Sequence, residues 1–386
     1  MISFKGPNYY VLFIISMLLL SFSSSPSDGA VITYAAPFLF VSCLLFIPVF
    51  LNNLAEVDFR FIIWPVLFVL VMFISSFIAV APIPSLSRAF TNLLGLFVFL
   101  GLIAATMRQR VSVESTARVL FLSGVVLALY FILNLICKSY VYGFQKVILE
   151  RYVGGAMSLP WGASNTIAQV LLLFVASYLA IENKNKWDVL LLLVICTAIV
   201  LTFSRSVILL LVCMIYIILG ARRFSLLAGG GLVFLAAYTA FFSKGIKGYD
   251  TFLSTRLSVA NMQSGNGRVA TALEKLHYFL NHPFDPIGYY SSIYKFSLSA
   301  HNYWITTLVE QSILGVLVSL VFFWNVGRMA LKTSRTIFYG YLIVMMGLMV
   351  EDPNFVQPYI IAFWVYLSVV VSRGLKLNSV APSFGK

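Results

Sequence analysis

Charged residues are scarce in this chain of 386 residues, where Asp, Glu, Lys and Arg together make up 10%. A soluble domain carries about 25%. Cysteine is also rare, and Cys43, Cys137, Cys196 and Cys213 lie inside or at the edge of apolar runs. We therefore interpret them as small hydrophobic residues, without a disulfide framework or metal-ligand spacing. A phosphate-cradling glycine motif is missing as well, which argues against an ATP-driven motor.

Long apolar runs are what the chain has instead, with 61% hydrophobic residues and a mean hydropathy of +0.96. Runs of about 20 residues recur, the length at which a helix crosses a bilayer. We predict an all-α polytopic membrane protein that forms a single integral membrane domain over residues 1–386. The twelve predicted transmembrane helices are residues 9–24, 32–51, 61–80, 89–106, 118–137, 166–182, 188–203, 206–221, 225–243, 303–325, 336–350 and 357–372.

The basic residues predict the orientation of these spans. With the N-terminus inside, 15 of the 26 Lys and Arg lie in inner segments, and the loops among these are short. Nine of the other 11 lie in two long outer loops, residues 138–165 and 243–302, and long loops count little in the positive-inside rule. Only Arg88 and Arg205 then fall in short outer loops, so we predict an N-in, C-in topology. The abundant aromatic residues suit lipid contact, and no nucleic-acid partner is expected.

The long outer loop 243–302 contains all three histidines, which are His277, His282 and His301. His301 lies where this loop meets the tenth span, and a histidine titrates near neutral pH and can accept a proton from a sugar hydroxyl. Its neighbour Asn302 is expected to orient His301 or a substrate. Glu310 follows inside an apolar span, where an ionisable residue indicates either a functional role or a basic partner.

Arginines provide the candidate anion-binding groups. Arg205 closes a span, and its guanidinium fork suits a phosphate, although snorkelling to lipid headgroups is the alternative. Arg268 follows a glycine-rich turn and precedes a predicted helix, where an ordinary loop arginine is the alternative. Arg256 and Arg151 are supporting candidates. His and Cys lack metal-ligand spacing throughout, so no metal and no cofactor are expected.

The order of these motifs resembles that of the O-antigen ligase/polymerase superfamily over roughly residues 188–325. The matching elements, in chain order, are Thr202-Phe203-Ser204-Arg205, Gly267-Arg268, a helix to Asn281, His282-Pro283 with Gly288, His301-Asn302, Glu310 and Gly315. Two details depart from the family pattern. A Gly-x-Gly after His-Pro is reduced to a single Gly288, and the Glu-x-Gly of the tenth span ends in Ser312 instead of glycine.

The resemblance implies a metal-independent, inverting membrane glycosyltransferase of GT-C-like architecture, with a large periplasmic loop that contains short helices, in a bacterial inner (plasma) membrane. Such an enzyme moves a glycan from undecaprenyl-pyrophosphate to a sugar hydroxyl at the periplasmic face. A polymerase of O-antigen or related surface polysaccharide repeat units is the expectation, and an O-antigen ligase acting on lipid A-core is the alternative. The implied partners are the lipid-linked glycan, a sugar or lipid A-core acceptor, membrane lipids and a chain-length regulator.

The resemblance also implies roles for individual residues. His301 would be the catalytic base, and Arg205 and Arg268 would hold the pyrophosphate. The supporting residues would be Arg256, Arg151, Asn302 and Glu310. A lipid-linked oligosaccharide flippase is the more distant alternative, but a transporter predicts broken helices in paired halves, and the sequence shows no matched halves.

Overall fold

The computed structural model describes residues 9–22, 34–52, 60–143, 146–147, 157–160, 162–242, 268–296, 302–349 and 357–380. Helices make up most of this part of the chain, which confirms the predicted all-α class. The β structure in it is one antiparallel pair, β1 (Ser158–Leu159) with β2 (Gly162–Ala163), which the sequence did not predict.

The helices follow one another along the chain as expected from the apolar runs. They are α1 (Tyr9–Leu19), α2 (Ala36–Leu51), α3 (Arg60–Ser76), α4 (Pro82–Met107), α5 (Val113–Tyr142), α6 (Ser164–Tyr178), α7 (Lys186–Leu201), α8 (Arg205–Phe242), α9 (Arg268–Asn281), α10 (Ser292–Lys295), α11 (Tyr303–Thr333), α12 (Arg335–Gly347) and α13 (Gln357–Val380).

Several of these helices have the character of membrane spans. Within the described ranges, α4, α5, α11 and the Arg205–Leu226 part of α8 are long and apolar enough to cross a bilayer, and five shorter helices are also apolar. Each of the twelve predicted spans overlaps a described helix. Two of them fall in α8, which breaks at Gly220, where φ is 74° and ψ is 163°. The number of spans and their orientation stay predictions.

Helix α4 begins seven residues before the predicted span at residue 89, at Pro82. Proline suits the first turn of a helix because its φ is already helical and its missing N–H would lack a partner there. The extension carries Arg88 into the helix and buries it to 3% exposure. The expectation that Arg88 lies in a short outer loop is therefore wrong.

Aromatic rings from α3, α4 and α11 surround the fully buried Trp364 of α13 in the core. Gly95 of α4 permits this contact, since a Cβ there would lie 2.1 Å from the Trp364 ring. The Trp364 indole Nε1 donates to the Asn92 side chain at 3.1 Å, and Asn92 Nδ2 donates to the Tyr289 hydroxyl at 3.0 Å. The core is thereby connected to the segment after α9.

One end of the bundle is held together by charge. Arg118 of α5 donates to Asp188 of α7 at 2.8 Å and to the Asn183 carbonyl at 3.0 Å. Arg373, near the end of α13, pairs with Glu182 at 3.0 Å. These contacts bring the start of α5, the α6–α7 connection and the last part of α13 together, and we call this the charged end.

The other end, which we call the loop end, carries the segment after α9. There Tyr303 N–H, at the start of α11, donates to the Leu348 carbonyl just after α12 at 2.8 Å. Helix α7 leaves the charged end near Asp188 and covers about 24 Å at 1.5 Å per residue. It therefore delivers Arg205, at the start of α8, to the loop end.

Candidate functional site

The loop end is organised around residues 287–292, which we call the anchored loop. Ile287 N–H donates to the Val309 carbonyl at 3.2 Å, and Gly288 N–H donates to the Glu310 carbonyl at 3.1 Å. In a regular helix these two carbonyls would accept from residues 313 and 314. Helix α11 is kinked at Ser312, where φ is 59° and ψ is −167°, so its carbonyls can accept from the anchored loop.

The Glu310 side chain binds the same loop from within α11. Its carboxylate is fully buried and accepts from Tyr290 N–H at 2.8 Å and from Ser292 N–H at 2.9 Å. Hydrogen bonds to a carboxylate are the stronger kind in proteins. The sequence predicted a supporting role or a basic partner for Glu310. In the structure these two bonds position the backbone of the anchored loop at Tyr290 and Ser292.

The hairpin between α3 and α4 holds the opposite edge of the anchored loop. Tyr289 N–H donates to the Ser75 carbonyl at 3.2 Å, and the Ser85 hydroxyl donates to the Tyr289 carbonyl at 2.7 Å. Val80 N–H donates to the Ser291 hydroxyl at 2.9 Å. The loop therefore joins α3, α4 and α11 into one unit, although it lies about two hundred residues from the hairpin along the chain.

Gly288 is required by this arrangement for two separate reasons. Its φ is 91°, which other residues rarely adopt. A Cβ at this position would also lie 2.4 Å from Ala79 Cα and 2.8 Å from the Ser75 carbonyl oxygen. The backbone conformation and the close packing against Ala79 and Ser75 thus explain why a glycine occupies this position after His282-Pro283.

Arg88 lies beneath the anchored loop, about 9 Å along α4 from its first residue. Its guanidinium carbon lies 5.0 Å from the centroid of the Tyr290 ring. Its Nη1 is buried and has no hydrogen-bond partner within the described residues. Sequence reasoning missed Arg88 as a site residue, although it shares with Arg205 the signal of being a basic residue that the positive-inside rule leaves unexplained.

Tyr294 of α10 lies close enough to Arg88 for the two groups to interact electrostatically. Burial raises the pKa of the Tyr294 hydroxyl, and the neighbouring Tyr290 raises it further. The positive charge of Arg88 lowers this pKa, but it does not outweigh the other two effects. Tyr294 therefore stays neutral at physiological pH.

Asn302 caps α11. Its side-chain oxygen accepts from Trp304 N–H at 3.0 Å and from Ile305 N–H at 3.2 Å, and its amide donates to the Met349 carbonyl at 3.4 Å. Such a cap stabilises a helix by about 1 kcal/mol. The contacts of Asn302 thus fix the chain directly after His301, and His301 itself lies outside the described residues.

Arg205 is exposed at the first position of α8, directly after a sharp break in the chain. The Thr202 hydroxyl donates to the Ile199 carbonyl at 2.6 Å and accepts from Ser204 N–H at 3.3 Å. Phe203 between them has a φ of 53°. The Thr-Phe-Ser-Arg motif therefore folds as a compact corner that holds Arg205 at the loop end.

Of the other predicted cationic residues, only Arg268 lies within the described part of the chain. Arg268 is the first residue of α9, as expected from the glycine-rich turn before it, but its side chain lies outside the description. Arg256 and Arg151 also lie outside the described residues. Helix α9 packs against α11, so Arg268 and Asn302 begin two helices of the same unit.

The two histidines to which no role was given have local partners in the structure. His277 is exposed, and its Nε2 lies 3.0 Å from the Asn281 amide. The ring of His282 stacks on Tyr278 at 4.8 Å, next to the end of α9. These contacts are all within one turn of helix and give no sign of chemistry.

Backbone strain is concentrated at the loop end. The non-glycine residues with positive φ in the described ranges are Gln109, Phe203, Tyr290 and Ser312, and the last three lie at this end. Each such residue costs about 1–3 kcal/mol, and such strain persists at functional sites because the surrounding structure enforces it. Strain next to Arg205 and on both sides of the Glu310 contact marks this end as the candidate site.

The described residues contain no group of three or more His, Cys, Asp or Glu that could hold a metal ion. The side chains around the anchored loop in the described residues include the cationic Arg88, hydroxyl groups and the backbone-bound carboxylate of Glu310. Such groups suit the binding of an anion and of sugar hydroxyls. Comparison with known protein families and with characterised proteins finds no match for this chain.

Proposed function

We propose that this protein is an integral membrane glycosyltransferase of the O-antigen ligase/polymerase type. It moves a glycan from undecaprenyl-pyrophosphate to a sugar hydroxyl at the periplasmic face of a bacterial inner membrane. It crosses the membrane about twelve times with both termini inside, and its loop end faces the periplasm. The polymerisation of O-antigen or related surface polysaccharide units is its reaction, with ligation to lipid A-core as the alternative.

The observation that carries this proposal is the anchored loop. Through Glu310 it joins the segment after His282-Pro283 to α11, and α11 begins two residues after His301 in the sequence. Two of the elements that carry the family resemblance, the segment with Gly288 and the helix with Glu310, therefore pack together at the loop end. A chance set of weak motifs would have no reason to pack together.

The backbone conformation of Ser312 also supports the proposal. The family pattern has a glycine two residues after the glutamate, and this chain has a serine there. The backbone at Ser312, with φ 59° and ψ −167°, nevertheless has a conformation that is essentially reserved for glycine. The backbone at this position is therefore one that a glycine would adopt without strain.

The proposed chemistry is a single displacement. An acceptor hydroxyl attacks the anomeric carbon, its proton passes to His301, and the bond to the pyrophosphate oxygen breaks with inversion. The undecaprenyl-pyrophosphate leaves with its negative charge, which Arg205 and Arg268 stabilise. A positioned base contributes about 10²- to 10⁴-fold to such a step.

A deletion strain complemented with plasmid variants tests this proposal. We expect wild type to restore long surface polysaccharide and His301→Ala and Arg205→Ala to fail, with all proteins present in the membrane at equal amounts. His277→Ala and Arg110→Ala are the matched controls, since both residues are exposed and the first lies in the same loop. Full restoration by His301→Ala would contradict the proposed base.

The same strain separates the two acceptors. Loss of a polymerase leaves single repeat units on lipid A-core. Loss of a ligase leaves long chains on the lipid carrier. An unchanged surface polysaccharide in the deletion strain contradicts both.

A further inference from the structure

Arg88 is a buried cation that the proposed mechanism does not use. It is 3% exposed and lies in a helix long and apolar enough to cross a membrane. An arginine in such a helix is costly unless it is paired or serves a function. Within the described residues no ion pair is formed by Arg88. Its guanidinium lies over the Tyr290 ring and interacts electrostatically with Tyr294, and its carbonyl accepts from the Asn92 amide.

Tyr290 does not satisfy the hydrogen-bond donors of the guanidinium. The guanidinium carbon lies 5.0 Å from the centroid of the Tyr290 ring, and this cation–π contact compensates part of the lost hydration. The buried Nη1 still has no hydrogen-bond partner in the described chain. Buried donors are nearly always satisfied in native proteins, so an unpaired one calls for a ligand.

A second unpaired group lies two residues after Tyr290. Ser292 is fully buried, and its hydroxyl has no hydrogen-bond partner among the described residues, although its N–H is bound by Glu310. The Glu310 contact fixes both Tyr290 and Ser292, so the segment that stacks on Arg88 also fixes this hydroxyl. Two polar groups from elements far apart in the chain are thus left unsatisfied in the same region.

We propose that Arg88 and Ser292 form a binding subsite for a phosphate group at the loop end. A guanidinium edge and a hydroxyl are suitable donors for phosphate oxygens. Tyr294 is 43% exposed and packs edge-on against Tyr290 at 6.0 Å, so the subsite lies one aromatic ring from the surface. The phosphate belongs either to the pyrophosphate of the lipid carrier, a source that rests on the proposed function, or to a lipid headgroup.

The test uses the full-length protein, purified in a neutral detergent, and titrates it with inorganic pyrophosphate by calorimetry. We expect Arg88→Gln to weaken binding about 10- to 100-fold, the value of one hydrogen bond to a charged group. Ser292→Ala should weaken it less. Arg110→Gln changes an exposed arginine three residues after the last residue of α4, and this variant should bind as wild type does. Pyrophosphate affinity that is equal in wild type, Arg88→Gln and Ser292→Ala overturns the subsite as a pyrophosphate site.

Nanodiscs of phosphatidylglycerol or of phosphatidylcholine distinguish the two sources. If a headgroup occupies the subsite, phosphatidylglycerol raises the unfolding temperature of wild type but not of Arg88→Gln, and it competes with pyrophosphate. If the carrier occupies it, the two lipids give the same result. If neither pyrophosphate binding nor the effect of phosphatidylglycerol depends on Arg88, the subsite is overturned for both sources.

Two further outcomes keep this inference separate from the proposed function. Should Arg88→Gln fail to fold, Arg88→Lys and Ser292→Ala carry the same comparison, because lysine keeps the charge but loses the fork of donors. Pyrophosphate binding that depends on Arg88 in a protein without glycan transfer supports the subsite and contradicts the enzyme. Glycan transfer by a protein whose pyrophosphate binding does not depend on Arg88 supports the enzyme and contradicts the subsite.

Discussion

Replacement of Glu310 by glutamine should loosen the anchored loop without removing it. The carboxylate accepts two backbone N–H groups at 2.8 and 2.9 Å, and an amide has only one oxygen with which to accept. The variant therefore loses one charge-assisted hydrogen bond, worth about 1.5–3 kcal/mol. It also leaves one buried N–H facing an NH₂ group, which adds to the loss.

Hydrogen exchange measured by mass spectrometry on a peptide that covers residues 287–296 reports this loss directly. A decrease of about 1.5–3 kcal/mol in local stability corresponds to exchange that is about 10- to 100-fold faster at the affected amide. The apparent unfolding temperature should fall by about 3–6 °C, at about 2 °C per kcal/mol for a chain of this size.

Glu274→Gln is the matched control, because Glu274 is an exposed glutamate on α9 at the same end of the bundle. It should leave both measurements unchanged. Exchange at residues 290 and 292 that is equally slow in Glu310→Gln and in wild type would refute the assignment of Glu310 to these two N–H groups.

Three further substitutions test the fold around the site. Gly288→Ala should prevent folding or lower the unfolding temperature far more than Gly143→Ala does. Both glycines have positive φ, but only at Gly288 would a Cβ meet backbone atoms. Equal effects of the two substitutions would contradict the close approach of Gly288 to Ala79. Ser312→Gly should stabilise the protein by about 1 kcal/mol in thermal unfolding, as the relief of about 1–3 kcal/mol of strain exceeds the entropy cost of glycine. Ser319→Gly, in regular helix, should destabilise it, and a destabilised Ser312→Gly protein would argue against the kink. Asp188→Asn should lower the unfolding temperature by weakening the 2.8 Å pair with Arg118, and should leave pyrophosphate affinity unchanged because Asp188 lies at the charged end.

The sequence was sufficient for the helices because a membrane span has a simple signature, about 20 apolar residues in a row. It failed at the start of α4, where Ser85 and Arg88 were left outside the span predicted to begin at residue 89. These polar residues are helical because their partners lie in the anchored loop: Ser85 donates to the Tyr289 carbonyl, and Arg88 stacks on Tyr290. Partners two hundred residues away leave no local pattern.

The site could be predicted in part for a similar reason. The break between two spans at Arg205 and the helix after the Gly267-Arg268 pair follow from local motifs, and the structure has both, with Arg268 as the first residue of α9 rather than the residue before it. Glu310 was recognised as unusual because a carboxylate interrupts an apolar span. The two partners described here could not be predicted, since they are backbone N–H groups of Tyr290 and Ser292 and nearly any residue type supplies such a donor.

The central claim is that this protein transfers a glycan from undecaprenyl-pyrophosphate, and the most direct test is the reaction itself. Purified wild-type protein is incubated with an undecaprenyl-pyrophosphate-linked repeat unit, and the release of undecaprenyl-pyrophosphate is followed by mass spectrometry. We predict release together with longer lipid-linked chains by wild type and by His277→Ala, and neither product from His301→Ala. The account is contradicted if His301→Ala releases the carrier as fast as wild type does, or if wild type releases none from the repeat unit of its own strain.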